Sequence, residues 1–117
     1  MPNSVTVTIK KGWEFDLIFR TGIRVNGELV RLLFLQNDFN QIKVGFAVGK
    51  HQGKAHVRNR GKRILRVAFQ QVIKNYTITP GISFVLGLKQ KGLDAKSNDI
   101  FTDLVKILRF KNLLLSA

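Results

Sequence analysis

Apolar positions recur along this chain with two periods, two residues where strands are expected and 3.6 where helices are. Residues 5–9, VTVTI, alternate and predict a short extended segment. Residues 12–22, GWEFDLIFRTG, predict a helix closed by Gly22, a residue suited to the left-handed C-terminal position. On its wheel Phe15, Ile18 and Phe19 share one face, while Trp13 and Leu17 lie nearly opposite. Two apolar stripes on so short a helix suggest that one of them is a binding surface.

Residues 24–36 are rich in β-formers, with a turn or bulge at Asn26-Gly27. Asn37, Asp38 and Asn40 mark a loop before a second strand at 41–49. A long amphipathic helix follows over about 55–75, with Val57, Ile64, Leu65, Ala68, Phe69, Val72 and Tyr76 on one side. Pro80-Gly81 turns the chain into a third apolar run, ISFVLGLK. The last helix begins at Ser97 or Asn98, both good caps, and carries Ile100, Phe101, Leu104, Ile107 and Leu108 on one face. The order helix, two or three strands, helix, strand, helix predicts an α+β sandwich, one mixed sheet with helices packed on it. At 117 residues the chain suits a single domain, 1–117.

Charge changes the picture more than any other property. The net charge is +13, with 20 Lys and Arg against seven acids. A 44% hydrophobic content excludes a disordered polycation. Such an excess of one sign repels itself in the folded state, and a polyanionic partner offsets it. Nucleic acid is the first candidate and an anionic membrane surface the second. The absence of cysteine excludes a disulfide framework, a thiolate zinc site and a thiol nucleophile. The apolar runs are too short for a signal peptide core or a membrane span, so a cytoplasmic location is expected.

The charge is also placed. No acid occurs between residues 39 and 93. On the long helix Asn59, Lys62, Arg63, Arg66 and Gln70 gather away from the apolar stripe, Arg58 and Arg60 flank its first turn, and Lys50, His51, Lys54 and His56 lie at its approach. Arginine forks hold phosphates with paired hydrogen bonds, and helix N-terminal amides add anion affinity. An unmixed, clustered set of cations points to a polyanion rather than to solvent alone. Gly61 falls on the core side of this wheel, which predicts either very close packing on the sheet or a helix that starts later.

The run GKAHVRNRGKRILR, residues 53–66, resembles the arginine-rich signature of the bacterial ribonuclease P protein component, matched by Arg58, Asn59, Arg60, Lys62, Arg63 and Arg66. The preceding VGFAVGKHQGKA looks like the family's strand and glycine loop, and FDLIFRTG like its first helix. The resemblance runs from about residue 9 to the end of the chain. It implies a non-catalytic protein subunit that binds a catalytic RNA and helps it remove the 5′ leader of precursor tRNA. The basic motif, with Lys50, His51 and Lys54, would face the catalytic RNA. A cleft between the sheet and the long helix, lined by Phe15 and Phe19, would hold the single-stranded leader by stacking. Magnesium would be held by the RNA, with none bound by protein carboxylates; no membrane and no obligate protein partner are implied. Leu33, Gly61, Val67, His51 and Leu88, which is expected to follow the last strand, depart from the family pattern, which bears on individual contacts.

The seven acids, Glu14, Asp16, Glu28, Asp38, Asp94, Asp99 and Asp103, form no compact motif in the basic region. A self-sufficient nuclease would have to rest on His51 and His56, whose spacing in a cationic loop is weak evidence. The remaining alternatives are a structural RNA-binding module, such as a ribosomal protein, and membrane attachment through the basic, leucine-rich end of the last helix.

Overall fold

A computed structural model describes residues 6–38, 40–49 and 52–115. Strand alternation builds two different surfaces from one sheet. In β3 (Val30–Gln36), Val30, Leu32 and Phe34 point to one face and Leu33 and Leu35 to the other. In β5 (Ile82–Leu88), the even positions Ile82, Phe84, Leu86 and Leu88 join the first face, and Val85 joins the second. β4 (Ile42–Ala47) follows the same rule, with Ile42, Val44 and Phe46 on the first side and Ala47 on the second. With β1 (Thr6–Thr8) and β2 (Ile23–Asn26) the sheet has five strands in the order β1-β4-β5-β3-β2. The β1–β4 and β4–β5 pairs are parallel, and β5–β3 and β3–β2 are antiparallel. The strand of the alternating VTVTI run is therefore an edge strand beside β4; its first residue, Val5, lies outside the described residues.

Helix α2 (Ala55–Asn75) and helix α3 (Ser97–Phe110) cover the first face. Leu65, Ala68, Phe69 and Val72 of α2 and Ile100, Leu104, Ile107 and Leu108 of α3 are buried there, as the 3.6-residue stripe requires. Helix α1 (Gly12–Thr21) lies on the second face, where Ile18, with Phe15 beside it, packs on Ile9, Leu33 and Val85. The Lys43–Glu14 ion pair, 2.8 Å, ties α1 to β4. The other stripe of α1 is open, with Trp13 62% and Leu17 38% exposed.

Three local expectations are corrected. Gly22 ends α1 in an extended conformation, φ −73°, not in the left-handed one. What requires glycine is space, because a Cβ there would stand 2.5 Å from the Ile18 carbonyl oxygen. Neither Ser97 nor Asn98 caps α3: Lys96 holds the cap position with no side-chain cap hydrogen bond, and the Asp99 N–H reaches the Lys96 carbonyl. Leu88 does not follow the last strand but closes it, buried and paired with Val30.

Candidate nucleic-acid interface

Gly61 explains how the basic helix is seated. A Cβ at this position would lie 3.2 Å from Leu88 Cδ1 and 3.3 Å from Val48 Cγ2. The α2 backbone therefore rests almost directly on the ends of β4 and β5, and the helix does begin at Ala55. Its opposite face carries the cations. Asn59, Arg60, Arg63, Arg66 and Gln70 are exposed, Arg58 and Lys62 are half-buried, and Lys54 is exposed at the N-cap.

Several of these side chains are held in place. The Arg60 guanidinium donates to the Leu93 carbonyl at 2.7 Å, tying α2 to the short 3-10 helix Gln90–Asp94. The Arg66 guanidinium lies 5.5 Å from the centre of the Phe46 ring, which itself packs edge-on against Phe69. Arg58 Nε is buried with no acceptor among the described residues. Gln52, nearly buried, donates through Nε2 to the Leu88 carbonyl at 2.7 Å and accepts the Gly49 N–H on Oε1 at 3.0 Å. It fixes the entry to α2 against β5. Lys50 and His51 lie outside the described residues.

The space between the sheet and the long helix is not a cleft: it is filled by the core of the first face. The open trough is on the second face, beside α1. A cavity of about 230 Å³ there is lined by Phe19, Arg24, Arg31, Leu33, Ala47, Gly49, Gln52, Val85, Gly87 and Leu88. Its floor is low beside Val85 because Ala47 of β4 and Gly87 of β5 carry little or no side chain. Phe15 and Phe19 stack, with ring centres 6.5 Å apart, but they differ in burial. The Phe15 ring occupies the place a Cβ of Gly45 would need, at 2.6 Å, and anchors α1 to the sheet. Phe19 is 43% exposed and forms the trough wall. Leu33, where an aromatic residue would stand in the family pattern, is buried in the floor.

Sequence reading missed Arg24 and Arg31, exposed cations of β2 and β3 that line the trough across from α1. The signal was available as alternation: Arg24 pairs with Leu33 and Arg31 with Gly87, so both belong to the α1 side of the sheet. Gln52 was likewise missed. Among the described residues no group of three or more His, Cys, Asp or Glu stands together to hold a metal ion, and no helix is long and apolar enough to cross a membrane.

A cationic helix on one side of a sheet and an aromatic trough with basic walls on the other define an RNA-binding α+β protein. A family model described as Ribonuclease P matches residues 4–111. The ribonuclease P protein component of Natranaerobius thermophilus is 36% identical over 83 residues, 71% of this chain and 70% of that protein. The one from a Thermoanaerobacter species is 28% identical over 102 residues, 87% and 86% of the two chains. The solved structure of the Staphylococcus aureus RNase P protein superposes with a TM-score of 0.75 at 25% identity, covering 91% of this chain and 95% of that one. The chain belongs to the ribonuclease P protein component family. As a component of that ribonuclease it works with the ribonuclease P RNA in tRNA 5′ maturation.

Proposed function

We propose that the cationic face of α2 docks on the ribonuclease P RNA, while the trough beside α1 receives the single-stranded 5′ leader of precursor tRNA. The observation that carries this reading is the join between the two surfaces. Gln52 and Leu88 line the trough and also set the start of α2, through the hydrogen bond from Gln52 and the contact of Leu88 with Gly61. A strand leaving the trough at that end meets Arg58, Arg60 and Lys62 within the first two turns of the helix. Phe19 offers a face on which an unpaired base of any identity can stack, and Arg24 and Arg31 offer charge for its phosphates. Lys54, at the N-cap of α2, adds to the same charge, and in the sequence Lys50 and His51 precede it.

In this reading the magnesium ions that activate water and stabilise the departing oxygen belong to the RNA. The protein's part is to lower the repulsion between two RNAs with a fixed array of cations and to orient the leader. Arg60 and Arg66 suit that part because one is held by a carbonyl and the other by a ring, so little of their freedom is lost on binding. Precursor-tRNA cleavage by ribonuclease P RNA at limiting magnesium tests it. Adding the protein should accelerate cleavage, and the gain should shrink for a precursor whose leader is cut to a single nucleotide. A protein that accelerates both precursors equally would remove the leader from the trough, and no acceleration would overturn the whole reading.

A further inference from the structure

The α1-side trough and the N-terminal half of α2 leave a third surface unused, at the far end of the helical layer. Phe110, in the last turn of α3, is 75% exposed, the most exposed large apolar side chain among the described residues. The Lys111 ammonium lies 5.5 Å from the centre of its ring, and next to it the Arg109 guanidinium lies 5.3 Å from the ring of Tyr76, the residue that closes α2. Lys106 and Lys74 are exposed on the neighbouring turns of the two helices. The chain after α3 is stitched to the segment after α2 by the Thr79 N–H to Leu113 carbonyl bond and the Leu115 N–H to Thr77 carbonyl bond, so the two helix ends form one surface. No acid occurs after Asp103, and the Asp103 carboxylate is buried on backbone amides of the β2–β3 turn.

The favourable placing of cations at helix C-termini accounts for Arg109 and Lys111 but not for an aromatic ring that packs on so little of the fold. Local charge separates this ring from the other exposed aromatic. Trp13 shares its cavity with Glu14 and Asp38 as well as Lys43, whereas Phe110 is flanked by Arg109 and Lys111, and the nearest acids of α3, Asp103 and Asp99, lie about two and three turns back, where Lys106 reaches toward them. An exposed ring with flanking ammonium groups is what stacking of an unpaired base requires, with the phosphates on either side neutralised.

We propose that the C-terminal end of α3 is a second contact for the ribonuclease P RNA, with an unpaired base stacked on Phe110 and its backbone held by Lys106 and Lys111. The occupant is the catalytic RNA rather than the leader because α3 shares the α2 face of the sheet, and the trough opens on the other. This rests on the reading that α2 docks on the same RNA. The two contacts would stand at opposite ends of α2, which at ~1.5 Å per residue over its 21 residues spans roughly 30 Å. Two tethers that far apart fix the orientation of the protein as well as adding affinity.

The test is binding of the full-length protein to ribonuclease P RNA over a sodium chloride series, first without precursor tRNA. Phe110→Ala should weaken binding roughly five- to hundredfold with the salt dependence unchanged, and Phe110→Trp should restore it. Lys106→Ala with Lys111→Ala should flatten the log–log salt slope by about 0.7 to 0.9 for each phosphate that the protein no longer neutralises. All of these side chains are exposed, so the melting temperature should stay at the wild-type value. Wild-type binding by these variants, alongside a flattened slope for Arg58→Ala with Arg63→Ala, would overturn this contact and leave the α2 reading standing. Wild-type binding by both sets would overturn the α2 reading as well. A loss seen only when precursor is added to the assembled ribonucleoprotein would assign the patch to the substrate and overturn the proposal.

Discussion

Two phenylalanines one helical turn apart have different work, and substitution separates them. Phe15 fills the space above Gly45, so Phe15→Ala opens a hole between α1 and the sheet. For a half-buried ring the expected cost is about 2 kcal/mol, below the range for full burial. In a chain of this size that lowers Tm by roughly 8 °C in a thermal melt. Phe19→Ala removes a more exposed ring that stacks on Phe15, so Tm should fall less than for Phe15→Ala while the preference for precursor with a leader over mature tRNA falls. An unchanged preference would make Phe19 ordinary surface. The arginines divide in the same way. Arg60→Ala breaks the bond to the Leu93 carbonyl and should cost about 1 kcal/mol of stability in addition to RNA affinity. Arg63→Ala should cost affinity alone, and a denaturant titration alongside RNA binding tells the two apart. Residue type gave no hint of this division; it comes from the partner each side chain meets after folding.

Elements show why much of the fold was legible and which parts were not. The α2 stripe predicts a helix over 55–75 and the helix spans Ala55–Asn75, because seven apolar positions at the right period leave little freedom in phase. The trough was not legible. It is made by absence, small residues on two strands, Ala47 and Gly87, beside Phe19 of a third element, and no local window contains all three. Asp103 is a second such case. On the α3 wheel it reads as a solvated acid, yet it is buried and accepts the N–H groups of Glu28, Leu29 and Val30 at 3.1, 2.8 and 3.0 Å. Its partners lie more than seventy residues earlier in the chain, beyond the reach of any periodicity. The carboxylate clamps the β2–β3 turn to α3 and so fixes the edge of the sheet that carries Arg24. Asp103→Ala strands three backbone donors and should cost about 3 kcal/mol or more. Denaturant unfolding checks it, and a loss near zero would mean that the turn finds water instead. Gly61→Val tests the close seat of α2 on β5: two methyl groups where one Cβ is already tight should cost about 1–3 kcal/mol.

At the scale of the whole molecule the unbalanced charge becomes a thermodynamic property. Of the seven acids, Asp103 is occupied by backbone amides and Glu14 by Lys43, while Asp16, Glu28, Asp38, Asp94 and Asp99 lie on the surface outside the acid-free span that builds α2. The cations of α2 are thus left facing one another, and folding brings them closer than the unfolded chain would hold them. The sign of the salt response follows. If attractive pairs dominated the surface, added salt would screen them and lower Tm. Here repulsion dominates, so screening removes a cost that falls mainly on the folded state. Raising sodium chloride from about 0.01 M to about 0.15 M shortens the screening length from roughly 30 Å to roughly 8 Å, less than the ~30 Å span of α2. The free protein should therefore melt several degrees higher in the second buffer. Ribonuclease P RNA should raise Tm further, most strongly at the lower salt, because the same cations then meet phosphates instead of each other. A free-protein Tm that falls with salt would show that the α2 cations are already neutralised by groups within the fold. They would then have little left to offer an RNA.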